Sequence, residues 1–425
     1  MENYHKKRYI YFLFAIILTF SNQTIYLKDN AHFYRATFFP GKPRFEKKYL
    51  SSFDLSLAGG TSKKGINCKE NRTCLLDIYG NHNMQFLGKN ITHNDPDSEL
   101  NCILQNLVEL PKRGCFGNLS FSGKFSIREI IFSYIQNFSH GIFTQIYFPI
   151  RKLKIKSIKY CDLSPNDHIF PDIHHPYWQE FLNNFEQILN DYNLNINDFC
   201  QHGIGDTSFE IGWTKNYEET EYIDFIDITI KSGIIAPTGK KKDEDKVFSL
   251  PLGYNGHVGI PVSLDLATGL YEWLTIGGHF DIIWFARKNK DMRIKTAKEQ
   301  SGFIKLAKTC TNIKKGTLYN LGFYLEADHI AGGLSLLIGY TFSEKQKDTL
   351  TFSQPLQIDC KIANSDEMLK EWNQHTIHFM IEYDFTKEEY KIGPRLNFFY
   401  NLAAGGKRIF KTNISSAGFG LDIDW

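Results

Sequence analysis

The strongest constraint on this chain is a period-two alternation of apolar and polar residues, repeated in strand-length runs along its C-terminal half. Tyr319, Leu321, Phe323, Leu325 and Ala327 share one face of such a run, and Asn320, Gly322, Tyr324, Glu326 and Asp328 share the other. Leu334, Leu336, Ile338, Tyr340 and Phe342 then oppose Ser335, Gly339 and Thr341. Ile377, Phe379, Ile381, Tyr383 and Phe385 oppose His378, Glu382 and Asp384, and Ile392, Leu396, Phe398 and Tyr400 oppose Gly393, Arg395 and Asn397. Successive side chains of a strand point to opposite faces, so each run is an extended segment with one oily and one polar side.

Earlier segments follow the same rule. Phe53, Leu55 and Leu57 alternate with Asp54 and Ser56, and Phe209, Ile211 and Trp213 with Glu210 and Gly212. Ile226, Ile228 and Ile230 oppose Asp227, Thr229 and Lys231, while Ile260, Val262, Leu264 and Leu266 oppose Ser263 and Asp265. Leu274, Ile276, Phe280, Ile282 and Trp284 oppose Thr275, His279 and Asp281. Leu119, Phe121, Phe125 and Ile127 form an apolar face against Ser120, Ser122, Lys124 and Arg128. Ile142, Ile146 and Phe148 join Thr144 on another apolar face.

A soluble β-sandwich alternates too, so connection lengths must arbitrate. Counted from Ser51, every second connection is short: residues 137–141, 216–221, 268–272, 330–332 and 386–390. The others are long: 61–118, 161–205, 237–256, 288–315 and 344–373, with a modest one near 404–412. Short turns on one side and long loops on the other are the pattern of an outer-membrane barrel, whose long loops are extracellular. Residues 302–309 could be extended, but counting them as a span breaks this pattern, so they belong to a loop. The expected fold is all-β, one antiparallel transmembrane barrel of 12 strands, with 14 as the alternative and both barrel ends periplasmic.

Composition agrees. Mean hydropathy is −0.33, which argues against a bundle of transmembrane helices. Aromatic residues make up 15% of the chain, as suits amphipathic β structure. A formal net charge of +2 offers no electrostatic case for nucleic acid. His5, Lys6, Lys7 and Arg8 precede an apolar run over residues 10–20, too short to span a bilayer comfortably, and Thr19 and Ser21 are small. This pattern predicts a signal peptide over 1–21, the other reading being a short anchor helix. Residues 22–50 are expected in the periplasm or in the lumen as a plug, and 51–425 form the barrel.

The last strand ends on Trp425, with Ile423, Leu421, Phe419 and Ala417 on its face and Asp424, Asp422, Gly420 and Gly418 opposite. A soluble edge strand has no reason to finish exposed on an aromatic residue. Phe419, Leu421, Ile423 and Trp425 resemble the C-terminal signal read by the barrel assembly machinery. The stretches GDTSFEIGW at 205–213 and SGIIAPTGK at 232–240 resemble outer-membrane barrels of the porin superfamily, in particular those associated with phenol meta-pathway operons. The resemblance implies a bacterial outer-membrane barrel in contact with outer-membrane lipid. It leaves the solute open, and a Pro-Thr-Gly after a strand is also simply a good turn.

The polar faces predict a charged lumen. Asp227, Lys231, Asp265, Asp281, Glu326, Glu382, Asp384 and Arg395 face inward by parity, joined by Asp54, Glu210, Asp328, Lys124 and Arg128. Such charges line a water-filled path, where an acidic excess favours cations, or pair across a narrow barrel. Residues 176–192 repeat Trp178, Phe181, Leu182, Phe185, Ile188, Leu189 and Tyr192 at helical spacing, a lid or a helix packed on neighbouring loops.

All eight cysteines follow the export signal, and the periplasm is oxidising. Loop disulfides are therefore expected, most simply Cys161–Cys200 and Cys310–Cys360, with two more among Cys68, Cys74, Cys102 and Cys115. The spacings lack the paired pattern of structural zinc. Nothing matches a nucleophile elbow, a metalloprotease helix or a phosphate loop, so neither enzyme activity nor a cofactor is expected. Passage of small solutes is the leading function. A surface role carried by the long loops is the alternative.

Overall fold

The computed structural model describes residues 31–39, 50–91, 98–112, 114–166, 169, 171–218, 223–271, 273–353, 358–385 and 391–424. The export signal expected over 1–21 lies outside them, as does Trp425.

Twelve strands form a closed ring. They are β1 (Leu50–Ser62), β2 (Asn118–Asn137), β3 (Ile142–Asp162), β4 (Thr207–Glu218), β5 (Phe225–Ala236) and β6 (Gly259–Tyr271). The ring continues through β7 (Leu274–Phe285), β8 (Leu318–Ala331), β9 (Leu334–Lys345), β10 (Trp372–Asp384), β11 (Ile392–Lys407) and β12 (Ile414–Asp424). Each pairs antiparallel with its sequence neighbours. β1 closes the ring by pairing with β12, Leu50 against Asp424, and with β2, Ser51 against Gln136. Closure satisfies every ladder without an edge, which a spanning sheet requires where no water can replace a missing partner. Two short strands, His82–Asn83 beside β2 and Phe199–Ile204 beside β3, bring the sheet to fourteen members without entering the ring.

The outer wall carries the predicted apolar faces. Phe53, Ile146, Ile211, Leu264, Phe323, Leu325, Ile338, Ile381, Phe398 and Phe419 are all exposed to the surroundings. An uninterrupted apolar belt around a closed sheet is a lipid-facing surface, and the protein is an outer-membrane β-barrel. Short turns sit at one end. The turn after β2 needs two left-handed residues, His140 (φ 63) and Gly141 (φ 76), and a side chain on Gly141 would strike the Thr214 carbonyl oxygen.

The opposite end is capped by folded loops. Helix α1 (Glu99–Val108) starts at Ser98, whose side chain accepts from the Asn101 N–H. Helix α2 (Pro176–Asp191) opens with Pro176 in its first turn and buries Trp178, Phe181, Phe185, Ile188 and Leu189. These side chains share one apolar core with Leu104 and Leu107 of α1 and with Phe121, Phe248 and Phe303. Thus α2 is packed on neighbouring loops. Strands Lys288–Arg293, Lys308–Lys314 and Thr349–Phe352 make a separate three-stranded sheet in this cap. Residues 302–309 accordingly stay out of the ring, as the loop-length pattern requires.

Two expectations need correction. Leu119, Phe121, Phe125 and Ile127 were expected on the lipid side, but they are buried and face inward, while Lys124 and Arg128 are exposed outside. This part of β2 rises into the cap. Its inner face there is covered by rings, Phe121 by Phe248 at 5.4 Å and Phe125 by Phe410 at 5.3 Å, so the wet and oily sides exchange. The cysteines are all free thiols. Cys161 lies at the loop end of β3, whereas Cys200 pairs opposite Lys154, seven positions down the same strand. At about 3.3 Å per residue that separation is far beyond disulfide reach. Cys310 lies beside Ser353 and Cys360 beside the Leu350 carbonyl, three strand positions apart.

Candidate functional site: the lumen and its contents

Many inward-facing positions of the ring are polar. Lys231, Asp265, Asp281, Glu326, Glu382, Asp384 and Arg395 are buried on the inner face, and Asp227 is half-buried there. The structure gathers only some of them into one cluster. The Arg395 guanidinium lies 3.3 Å from Asp54, 3.1 Å from Asp422 and 3.8 Å from Glu382, tying β11 to β1, β12 and β10 near the short turns. Lys231 sits 3.7 Å from Glu210 and 3.5 Å from the Gln145 side-chain oxygen. His378 contacts Asn401 at 2.7 Å and Thr341 at 2.9 Å through its two ring nitrogens. Each network spans neighbouring strands, because alternate residues on adjacent strands face the same interior. Phe419, Leu421 and Ile423 occupy the outer face of β12, opposite Gly418, Gly420 and Asp422.

Residues 31–39 lie inside the ring. His32, Tyr34, Arg35, Thr37, Phe38 and Phe39 are each at most 5% exposed, although the segment precedes the barrel and belongs to none of its strands. Its upper end meets the cap. The Phe410 N–H donates to the Phe33 carbonyl, and His32 stacks on Tyr254 at 5.2 Å. Lower down, the Thr37 N–H donates to Gln374 at 3.1 Å, and the hydroxyls of Thr37 and Ser343 lie 3.0 Å apart. At the bottom, Phe39 fills the middle of the ring, with His279, Tyr324 and His378 around it at 5.2 to 5.9 Å. Gly339 makes room for it, since a Cβ there would stand 3.2 Å from the Phe39 ring.

One buried charge cluster anchors this segment. Glu129 of β2 faces Arg35 at 3.0 Å and also pairs with Arg151 of β3, all three side chains at 0% exposure. Arg151 further donates to the Leu252 carbonyl at 2.6 Å and contacts His32 Nε2 at 3.1 Å. A carboxylate held between two guanidiniums is tolerated in low dielectric because its charge is matched. Glu129 and Arg151 escaped the sequence reading for a definite reason. Parity put Ile127, and with it Glu129, on the lipid face, whereas that face of β2 turns inward.

Comparison with known proteins adds a fold likeness. No family model matches the chain, and no curated protein matches it. Among solved structures it is similar to the COG4313 outer membrane channel from Pseudomonas putida F1, with 10% identity, 91% of this chain and 100% of that chain covered, and a TM-score of 0.49. The Ralstonia pickettii toluene transporter TbuX follows at 6% identity, 90% of each chain and 0.33. The translocator domain of the Neisseria meningitidis autotransporter NalP is similar at 7%, 89% and 90% coverage and 0.32. At these scores the fold assignment stands on the chain's own hydrogen-bonded ring.

Proposed function

We propose that this barrel is a channel for small solutes whose closed state is the one described, with residues 31–39 as its plug. The observation that carries this is the separateness of the luminal filling. A barrel built only as a scaffold fills its interior with side chains of its own strands. Here much of the inner wall is polar, and its centre is filled by Phe39, packed on Tyr324, Leu337 and Met380, and by its neighbours, which belong to no strand of the ring. Such a filling can leave without breaking any ladder bond.

Asp54, Asp265, Asp281, Glu326, Asp328, Glu382, Asp384 and Asp422 line the interior against Lys231 and Arg395, so the emptied path favours cations. In sequence, the stretch 40–49 carries Lys42, Arg44, Lys47 and Lys48 against Glu46, a charge opposite to that wall. The same reading takes Phe419, Leu421 and Ile423, with Trp425, as the signal for the assembly machinery, and the outer belt as its lipid contact.

Conductance in planar lipid bilayers tests the proposal. The full chain is expected to be closed most of the time, and a variant lacking residues 31–39 is expected to conduct steadily with cation preference. A deletion variant that folds and inserts yet stays silent at all voltages overturns it. The cap, with its own apolar core and two helices, favours a second role at the cell surface. Unchanged conductance after the cap helices are removed, together with lost cell adhesion, marks that reading.

A further inference from the structure

The loop segments 237–258, 286–317, 346–353 and 358–371, with Leu194, surround a cavity of about 110 Å³ at the loop end of the barrel. Phe303, Ile313 and Leu369 supply apolar surface in its wall. Lys242, Lys290, Arg293, Lys305 and Lys315 line it too, among three carboxylates, and the cations differ in what they already hold. Lys290 and Lys242 share Glu244 at 2.9 and 3.5 Å. Lys305 pairs with Asp366, and Arg293 with Asp245 at 3.0 Å. Asp348 takes the Lys345 ammonium at 2.8 Å and the Gly316 N–H at 2.7 Å.

Lys315 is left over. Among the described residues no carboxylate lies within 4.0 Å of its ammonium, which sits over the rings of Phe285 at 5.4 Å and Tyr254 at 5.9 Å. Burial pushes its pKa down to about 8, with Asp348 pulling the other way and Lys345 and Lys290 adding to the fall. An ammonium set over ring faces, with its nearest carboxylate influence from Asp348 beyond ion-pair distance, can take a further negative charge.

We propose that this cavity binds a short-chain monocarboxylate, its carboxylate on Lys315 and its alkyl part against Phe303, Ile313 and Leu369. Size supports the class: an apolar cavity of about 150 Å³ admits benzene, so this smaller one takes an acid of about three to five carbons. A phosphate would satisfy Lys315 but leave the apolar wall unused. The site stands at the mouth of the barrel, because Tyr254, which carries Lys315, also stacks on His32 of the luminal segment. It is independent of whether the lumen conducts.

The test is calorimetry on the detergent-solubilised full chain with sodium butyrate, and with inorganic phosphate in parallel. Saturable butyrate binding is expected, weakened at least about tenfold by Lys315→Met and kept within about threefold by Lys315→Arg. Lys347→Met, on the surface nearby, should leave it unchanged. Heat-shifted gel mobility confirms that each variant is folded. No saturable heat with butyrate overturns the proposal, and so does a Lys315→Met affinity equal to that of the parent. Phosphate binding tighter than butyrate overturns the monocarboxylate assignment.

Discussion

Replacing Glu129 by Gln keeps the shape of the side chain and removes the charge that Arg35 and Arg151 share. Arg151 is fixed on the wall in both the docked and the released state, so its loss largely cancels between them. Arg35 is different. Docked, it lies 3.0 Å from Glu129 at 0% exposure, whereas released it regains water. Breaking a buried ion pair by removing one partner costs about 3–5 kcal/mol. Each ~1.4 kcal/mol is a factor of ten, so the docked-to-released ratio should fall by about two to three and a half orders of magnitude. Two assays read this shift. Trypsin added to protein in lipid vesicles should cut after Arg35 far faster in the variant, and single-channel recording should show a matching rise in open probability. Glu129→Asp should fall between parent and Gln variant, and Arg35→Met combined with Glu129→Gln should do little more than either alone. If Glu129→Gln is folded but cleavage after Arg35 stays within about threefold of the parent, this pair does not hold the segment.

Membrane exposure predicts that Phe323→Arg, on the outer face of β8, costs about 2–4 kcal/mol in urea unfolding from vesicles. Acid should loosen the cap in two stages. Burial, aided by Lys315, lowers His257 to about 4 from an ordinary 6.5, so its share of stability is full above 6.5 and lost as pH falls towards 4. Burial alone would raise Glu244, but Lys242 and Lys290 hold it at about 2, so its share is present above 4.5 and lost as pH falls through 2. Hydrogen exchange in the 237–258 loop should follow both stages, His257→Asn removing the first and Glu244→Gln the second. Cys102, Cys115, Cys161, Cys200 and Cys310 are exposed at the loop end, so a membrane-impermeant maleimide should label them on intact cells without unfolding. Labelling only after the outer membrane is broken reverses the orientation.

How much was legible depended on whether a segment's partner was lipid. On β8 to β12 the outer neighbour is hydrocarbon and the inner one a polar wall, so polarity alone assigns the faces of Phe323 and Glu326 or of Phe419 and Asp422. Connection lengths then gave the strand number. The same rule assigned β2 the wrong way round, because Phe121 and Phe125 face protein in the cap rather than lipid. Helix α1 was missed because its flanks carry no cue as clear as the aromatic stripe and opening proline of α2. The disulfide pairs failed for a related reason: spacing along the chain says nothing of register, and register sets Cys200 against Lys154 instead of near Cys161.

By itself, then, the sequence determined the ring. Alternation is a local property, each residue reporting the solvent on its own side, and lipid is the same solvent all the way round. The contents of the ring were decided only by tertiary structure. Arg35 meets Glu129 across 94 residues, and Phe39 meets Gly339 across 300, because closing the barrel brings distant strands around one axis. A short polar and aromatic segment carries no periodic mark of such a place until the wall that receives it exists.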